Sequence, residues 1–132
     1  MELGSNNNSA FLMHYHLVLI VKHRRKVIDD TISNRLREIF ESIAPNYNLS
    51  VEKWNHDLNY VHILFKGPQN TALSKFINDY QSTSSRLIKE EFPHIKNSLW
   101  EETFWSQSFC LLTTEKVTND IIRLCVETQS EK

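Results

Sequence analysis

Seven stretches of regular pattern follow one another along this chain, and their order restricts the fold more than any other feature. Phe11 to Lys22 is rich in aromatic and branched residues, the mark of a buried strand. Asp29 or Asp30 then supplies a helix N-cap, and Ile32, Leu36, Ile39, Phe40 and Ile43 follow at three-to-four spacing as one apolar face. Pro45 stops that helix. Leu49 to Trp54 and Tyr60 to Lys66 read as strands. The short turn His56-Asp57-Leu58-Asn59 between them makes an antiparallel hairpin, and Gly67-Pro68 ends its second strand. A second helix is expected from about Thr71 to Glu91, with Leu73, Phe76, Ile77, Tyr80, Leu87 and Ile88 on its apolar side. Ser84 fills a gap in that stripe, and Pro93 terminates the helix. Thr103 to Thr113 reads as a fourth strand. Thr118 caps a last helix carrying Val117, Ile121, Leu124 and Cys125 on one face.

Strand, helix, strand, strand, helix, strand, helix: the first six elements are the split βαβ arrangement of the ferredoxin-like fold. The expected fold class is α+β, a four-stranded antiparallel sheet with an extra C-terminal helix. At 132 residues the chain is one domain's worth, and 11–132 read as that single domain. Residues 1–10 are polar and aperiodic; they read as a disordered tail, with Leu3-Gly4-Ser5 shaped like a cloning scar.

Composition narrows the function classes. No apolar run is long enough to span a bilayer, and the N-terminus does not read as a signal peptide. A cytoplasmic protein with no membrane partner is expected. Cys110 and Cys125 make no CxxC pair, so both are expected to be small buried apolar residues rather than a disulfide. The net charge of −1 gives no bulk support for nucleic-acid binding. The distribution of charge does. Lys22, Arg24, Arg25 and Lys26 put four fixed positive charges within five residues at a strand end, where they would displace counterions from phosphates.

Several segments, in order, resemble the single-tyrosine HUH transposases of the insertion-sequence-200/605 type, HUH standing for histidine, hydrophobic, histidine. Tyr15-His16-Leu17-Val18 and Lys22-His23-Arg24-Arg25-Lys26-Val27 are similar to that family's opening strand and its K-Y-R-R-K-V segment. Tyr60-Val61-His62-Ile63-Leu64 falls where the family has its HUH strand, normally D-H-V-H-L-L. Ser74-Lys75-Phe76 and Ser84-Ser85-Arg86 look like its second helix, and Phe104-Trp105-Ser106-Gln107-Ser108-Phe109 looks like its F-W-x-x-G-Y strand. The resemblance covers about Tyr15 to Gln129. It implies a dimer that acts on single-stranded DNA, recognises hairpins near element ends and cuts through a tyrosine with a divalent metal. It also implies that the metal sits on the two HUH histidines and on a last-helix glutamine, four residues after the tyrosine.

The chemistry explains those requirements. Residues i and i+2 of a strand share a face, so two histidines so placed grip one ion. The ion polarises the scissile phosphate, and the tyrosine oxygen attacks phosphorus and holds the DNA end. This chain departs at two points. Tyr60 occupies the first histidine position, and a phenol with a pKa near 10 is a poor magnesium ligand at neutral pH. Cys125 occupies the nucleophile position, while Gln129 is retained one helical turn on. Ser108 also replaces the family's glycine.

The expected function is therefore DNA binding without cleavage, as a regulator or a relic, and the residues lean against an enzyme. No cofactor is expected; magnesium or manganese belongs to the alternative, an active transposase variant that cleaves and joins single-stranded DNA at hairpins. A dimeric protein-interaction scaffold is a third reading. His62 and Gln129 are the remnant metal-ligand candidates. Lys22, Arg24, Arg25, Lys26 and Arg86 are expected to contact DNA, as a hairpin or a single strand. His14-Tyr15-His16 also spells histidine, hydrophobic, histidine, but on the first strand, where it reads as residues lining the open sheet face. Trp54, Trp100 and Trp105 are base-stacking or packing groups, with packing favoured for Trp105.

Overall fold

A computed structural model describes residues 12–69, 71–95, 103–113 and 116–129, except for the Gln129 side chain. Trp100 and the expected tail over 1–10 lie outside the described residues. The elements are β1 (Leu12–Val21), a 3-10 turn (Lys22–Arg24), α1 (Asp30–Ile43), β2 (Ser50–His56), β3 (Tyr60–Pro68), α2 (Leu73–Glu91), β4 (Trp105–Leu112) and α3 (Asn119–Gln129). The strands form one sheet in the order β2-β3-β1-β4, with every neighbouring pair antiparallel. This is the α+β arrangement expected: β1 and β2 flank β3, and β3 and β4 flank β1.

Local chemistry sets the element ends. Asp29 Oδ1 accepts the Ile32 backbone N–H at 2.8 Å, which settles the choice of N-cap for α1. At Pro45 the helix gives way to a 3-10 turn over Ala44–Tyr47, and Asn48 leaves it in the left-handed region at φ 61°. β3 runs on through Gly67 and Pro68, two residues past the expected end at Lys66, because Met13 and Leu12 of β1 pair with them. Glycine is needed at position 67. A Cβ there would overlap the Leu49 side chain and lie 2.9 Å from the Asn48 carbonyl oxygen.

The strand alternation sorts side chains to two faces. Tyr15, Leu17, Leu19 and Val21 of β1, with Val61, Ile63 and Phe65 of β3, meet α1 and α2 in the main core. Phe40 sits at its centre, with ring centroids of Phe76 and Tyr80 each 5.0 Å away. Ser84 keeps its place in the α2 stripe by hydrogen bonding. It is fully buried, donates to the Tyr80 carbonyl at 2.6 Å and accepts the Trp105 indole N–H at 2.8 Å.

On the other face α3 covers Val18 and Ile20 with Ile122, Cys125 and Val126. Two expectations change here. The buried face of α3 is Ile122, Cys125 and Val126, whereas Ile121 and Leu124 are 38% and 58% exposed. Both sets fit a helical spacing, and only docking decides the rotation. Cys110 and Cys125, expected as free thiols, are joined in a disulfide. Cys110 is paired in register with Val18 and packs with it under α3, which brings the two Cα atoms to 6.2 Å, within disulfide reach.

Candidate nucleic-acid interface and histidine pair

Along β3 exposure alternates residue by residue, so Tyr60 and His62 share the α3 side while Val61 and Ile63 enter the core. The register places Val18 opposite His62 and makes His16 its diagonal neighbour. The His16 and His62 rings are nearly parallel, 18° apart, and His16 Nδ1 lies 3.0 Å from His62 Nε2. His16, read from sequence only as a strand residue, is thus buried and engaged with His62. His14, the other half of that first-strand pattern, is exposed and bonded to Glu52 at 2.9 Å.

The electrostatics of the two β3 side chains differ from those of a histidine pair on one strand. Burial lowers the His62 pKa, and the neighbouring His16 lowers it further, so the ring is neutral at pH 7. Burial pushes the Tyr60 phenol up, and Asp57 adds to this while Arg123 opposes it. A phenol held in its protonated form offers no anionic oxygen to a metal, so Tyr60 and His62 do not fit a hard divalent ion. Gln129 lies on α3, in the helix that covers this face. Among the described residues no group of three or more histidine, cysteine, aspartate or glutamate side chains could hold an ion.

No other tyrosine shares this face. Tyr15 and Tyr80 are buried in the main core, and Tyr47 packs on Phe76 and donates its hydroxyl to Asp79. Cys125, which the family resemblance sets where a nucleophile is expected, is joined to Cys110 in the disulfide.

The basic run divides. Lys22 to Arg24 make a 3-10 turn in which His23 and Arg24 adopt left-handed φ angles of 58° and 55°. Such angles strain residues that carry a Cβ, and the strain is held here by the Lys22 N–H donating to the Phe104 carbonyl at 2.9 Å. The turn delivers Arg24 to a cavity of about 480 Å³ that Tyr60 and Arg123 also line. Asp57 and Glu127 line it too, so the cavity carries charges of both signs. Lys26 lies in a separate hollow beside Asp29 and His94, and Arg25 is half-buried, as is Lys22. Arg86 lines a third cavity, of about 580 Å³, between α2 and the start of β4, with Lys89, Gln81 and Gln107. The structure therefore unites Arg24 with Tyr60 and leaves Lys26 and Arg86 elsewhere. Arg123 is the residue that sequence reasoning missed. Its only signal was a cation two positions before Cys125 on the last helix.

The two described tryptophans pack. Trp54 donates its indole N–H to Ser33 Oγ at 2.9 Å and meets Phe40 edge-on, and Trp105 is 3% exposed.

Comparison with known proteins gives a consistent answer. The family model described as "Transposase IS200 like" matches residues 9–129. The ISDra2 transposase TnpA of Deinococcus radiodurans is 26% identical over 132 residues, covering all of this chain and 94% of that protein. The transposase for insertion sequence element IS200 of Salmonella typhimurium is 22% identical over 107 residues, 81% of this chain and 70% of that one. A crystal structure of a candidate transposase from Deinococcus radiodurans R1 superposes with a TM-score of 0.83 at 26% identity over the whole of both chains. A REP-associated tyrosine transposase bound to a REP hairpin superposes with a TM-score of 0.56 at 13% identity, over 89% of this chain and 64% of that one.

Proposed function

Because the chain belongs to the IS200-like transposase family, we propose that it is a DNA-binding protein that keeps the family's recognition of hairpin or single-stranded DNA and has lost its cleavage. It acts as a dimer in the cytoplasm, as a regulator or a relic of transposition, and needs no magnesium or manganese. One observation carries this reading: Arg24 and Arg123 line the cavity beside Tyr60, so cationic donors persist at the site where the cleaving groups do not. A backbone phosphate is a ligand that guanidinium groups recognise. The hairpin bound to the REP-associated tyrosine transposase supports the choice of DNA partner.

A second reading has one observation in its favour. Tyr60 is the single described tyrosine on the His62 face, so a cleaving variant would use it as ligand or nucleophile.

The test is recovery of fragmented genomic DNA, single- and double-stranded, on the purified protein, followed by sequencing. A parallel denaturing gel with magnesium or manganese looks for a covalent protein–DNA adduct. Enrichment of a few discrete sites with no adduct is the expected result. An adduct that disappears in Tyr60→Phe would replace this reading with the second. Absence of DNA binding even at low salt would point to a protein-interaction scaffold.

A further inference from the structure

We propose that His16 and His62 form a site for one borderline divalent transition-metal ion, of the zinc, cobalt(II) or nickel(II) class. This cross-strand pair stands in for the same-strand histidine pair that Tyr60 breaks. The geometry of the sheet makes the exchange possible. Two residues at i and i+2 of one strand are about 6.8 Å apart. Diagonal neighbours on adjacent antiparallel strands are about 7–8 Å apart and within reach of long side chains. Val18 is paired with His62, so His16, two residues away on the same face, is that diagonal neighbour. An antiparallel sheet therefore offers nearly the same span by two routes, and this chain has its second imidazole on the other route.

The nitrogen positions are close to what a shared ion needs. His16 Nδ1 and His62 Nε2 are 3.0 Å apart. Two nitrogens each about 2.1 Å from one tetrahedral ion would be about 3.4 Å apart, so the rings separate by about 0.4 Å on binding. His16 is 7% exposed and His62 is half-buried, so solvent reaches the pair mainly at His62. Without an ion one ring donates the shared proton and the other accepts it. Binding moves that proton to the donor ring's other nitrogen, so both facing nitrogens present lone pairs. Imidazole is a borderline ligand that suits zinc and nickel, whereas magnesium demands oxygen. Among the described residues no third histidine, cysteine or carboxylate joins the pair, and water completes the coordination. The inference rests on this geometry and not on DNA binding, so its test uses the metal alone.

The full chain is titrated with zinc chloride, and in parallel with magnesium chloride, while the imidazole nitrogens are followed by NMR. Zinc is expected to shift the His16 and His62 resonances together, and magnesium to leave them in place. Tyr60→Phe is expected to bind as the parent does, and His16→Gln and His62→Gln each to lose the response. Zinc that leaves both rings unmoved at millimolar concentration would overturn the site. So would a response confined to His14, His56 or His94, or one undiminished in either glutamine variant. The parent titration decides the matter even where a variant fails to fold.

Discussion

Ser84 Oγ accepts the indole N–H of Trp105 at 2.8 Å while donating to the Tyr80 carbonyl, which ties the middle of α2 to the first residue of β4. All three residues are buried. Ser84→Ala would leave the Trp105 donor without its partner inside the core. The expected cost is about 1–3 kcal/mol, against which alanine's better helix propensity returns only a few tenths. Urea denaturation measures it, and an unchanged midpoint would show that the indole finds another acceptor.

The disulfide closes a loop of 15 residues between β4 and α3. Its reduction, or Cys110→Ser, is expected to lower stability by about 3 kcal/mol through the freedom regained by the unfolded chain. Guanidinium melts with and without reductant give the difference. Thiol labelling of the unfolded, unreduced chain supplies the control, since rapid labelling there would mean the bond is absent.

The His62 pKa lies below its unfolded value because of burial first and His16 second. Between the two pKa values the unfolded chain binds a proton that the folded chain refuses. This contribution to stability is therefore full above the unfolded value of about 6.5 and is lost as the pH falls from there toward the folded pKa. Melting temperatures from pH 8 to pH 5 should drop, and His62→Gln should flatten the drop. A slope identical in the variant would assign the acid sensitivity to other groups.

Arg24 separates stability from binding. Its left-handed backbone strains any residue with a Cβ by about 1–2 kcal/mol, so Arg24→Gly should stabilise the fold by up to about 1 kcal/mol after glycine's entropy cost. The same substitution should weaken DNA binding and reduce the slope of log affinity against log salt by about one, if Arg24 contacts one phosphate. Fluorescence anisotropy across salt concentrations reads both. Full retention of affinity and slope would remove Arg24 from the interface.

Arg86 occupies a different cavity, with Lys89 and two glutamines, away from Arg24. Losses from Arg24→Ala and Arg86→Ala should therefore add, because the sites share no partner. Strong non-additivity would indicate one contiguous DNA track.

The sequence by itself determined the element order, the sheet they build and the stops between them. Asp29 as a cap, Pro45 as a breaker and Ser84 in an apolar stripe are local statements, decided within a turn or two of chain. Tertiary structure alone decided which distant side chains meet. His16 meets His62 across 46 residues through a strand register that no local pattern states. Cys110 meets Cys125 because one strand face and one helix rotation coincide, and the α3 stripe was compatible with either rotation. Arg123 comes to line the same cavity as Arg24 for the same reason. Periodicity records which side of an element is apolar; which element that side will face depends on packing, and the site is made of those meetings.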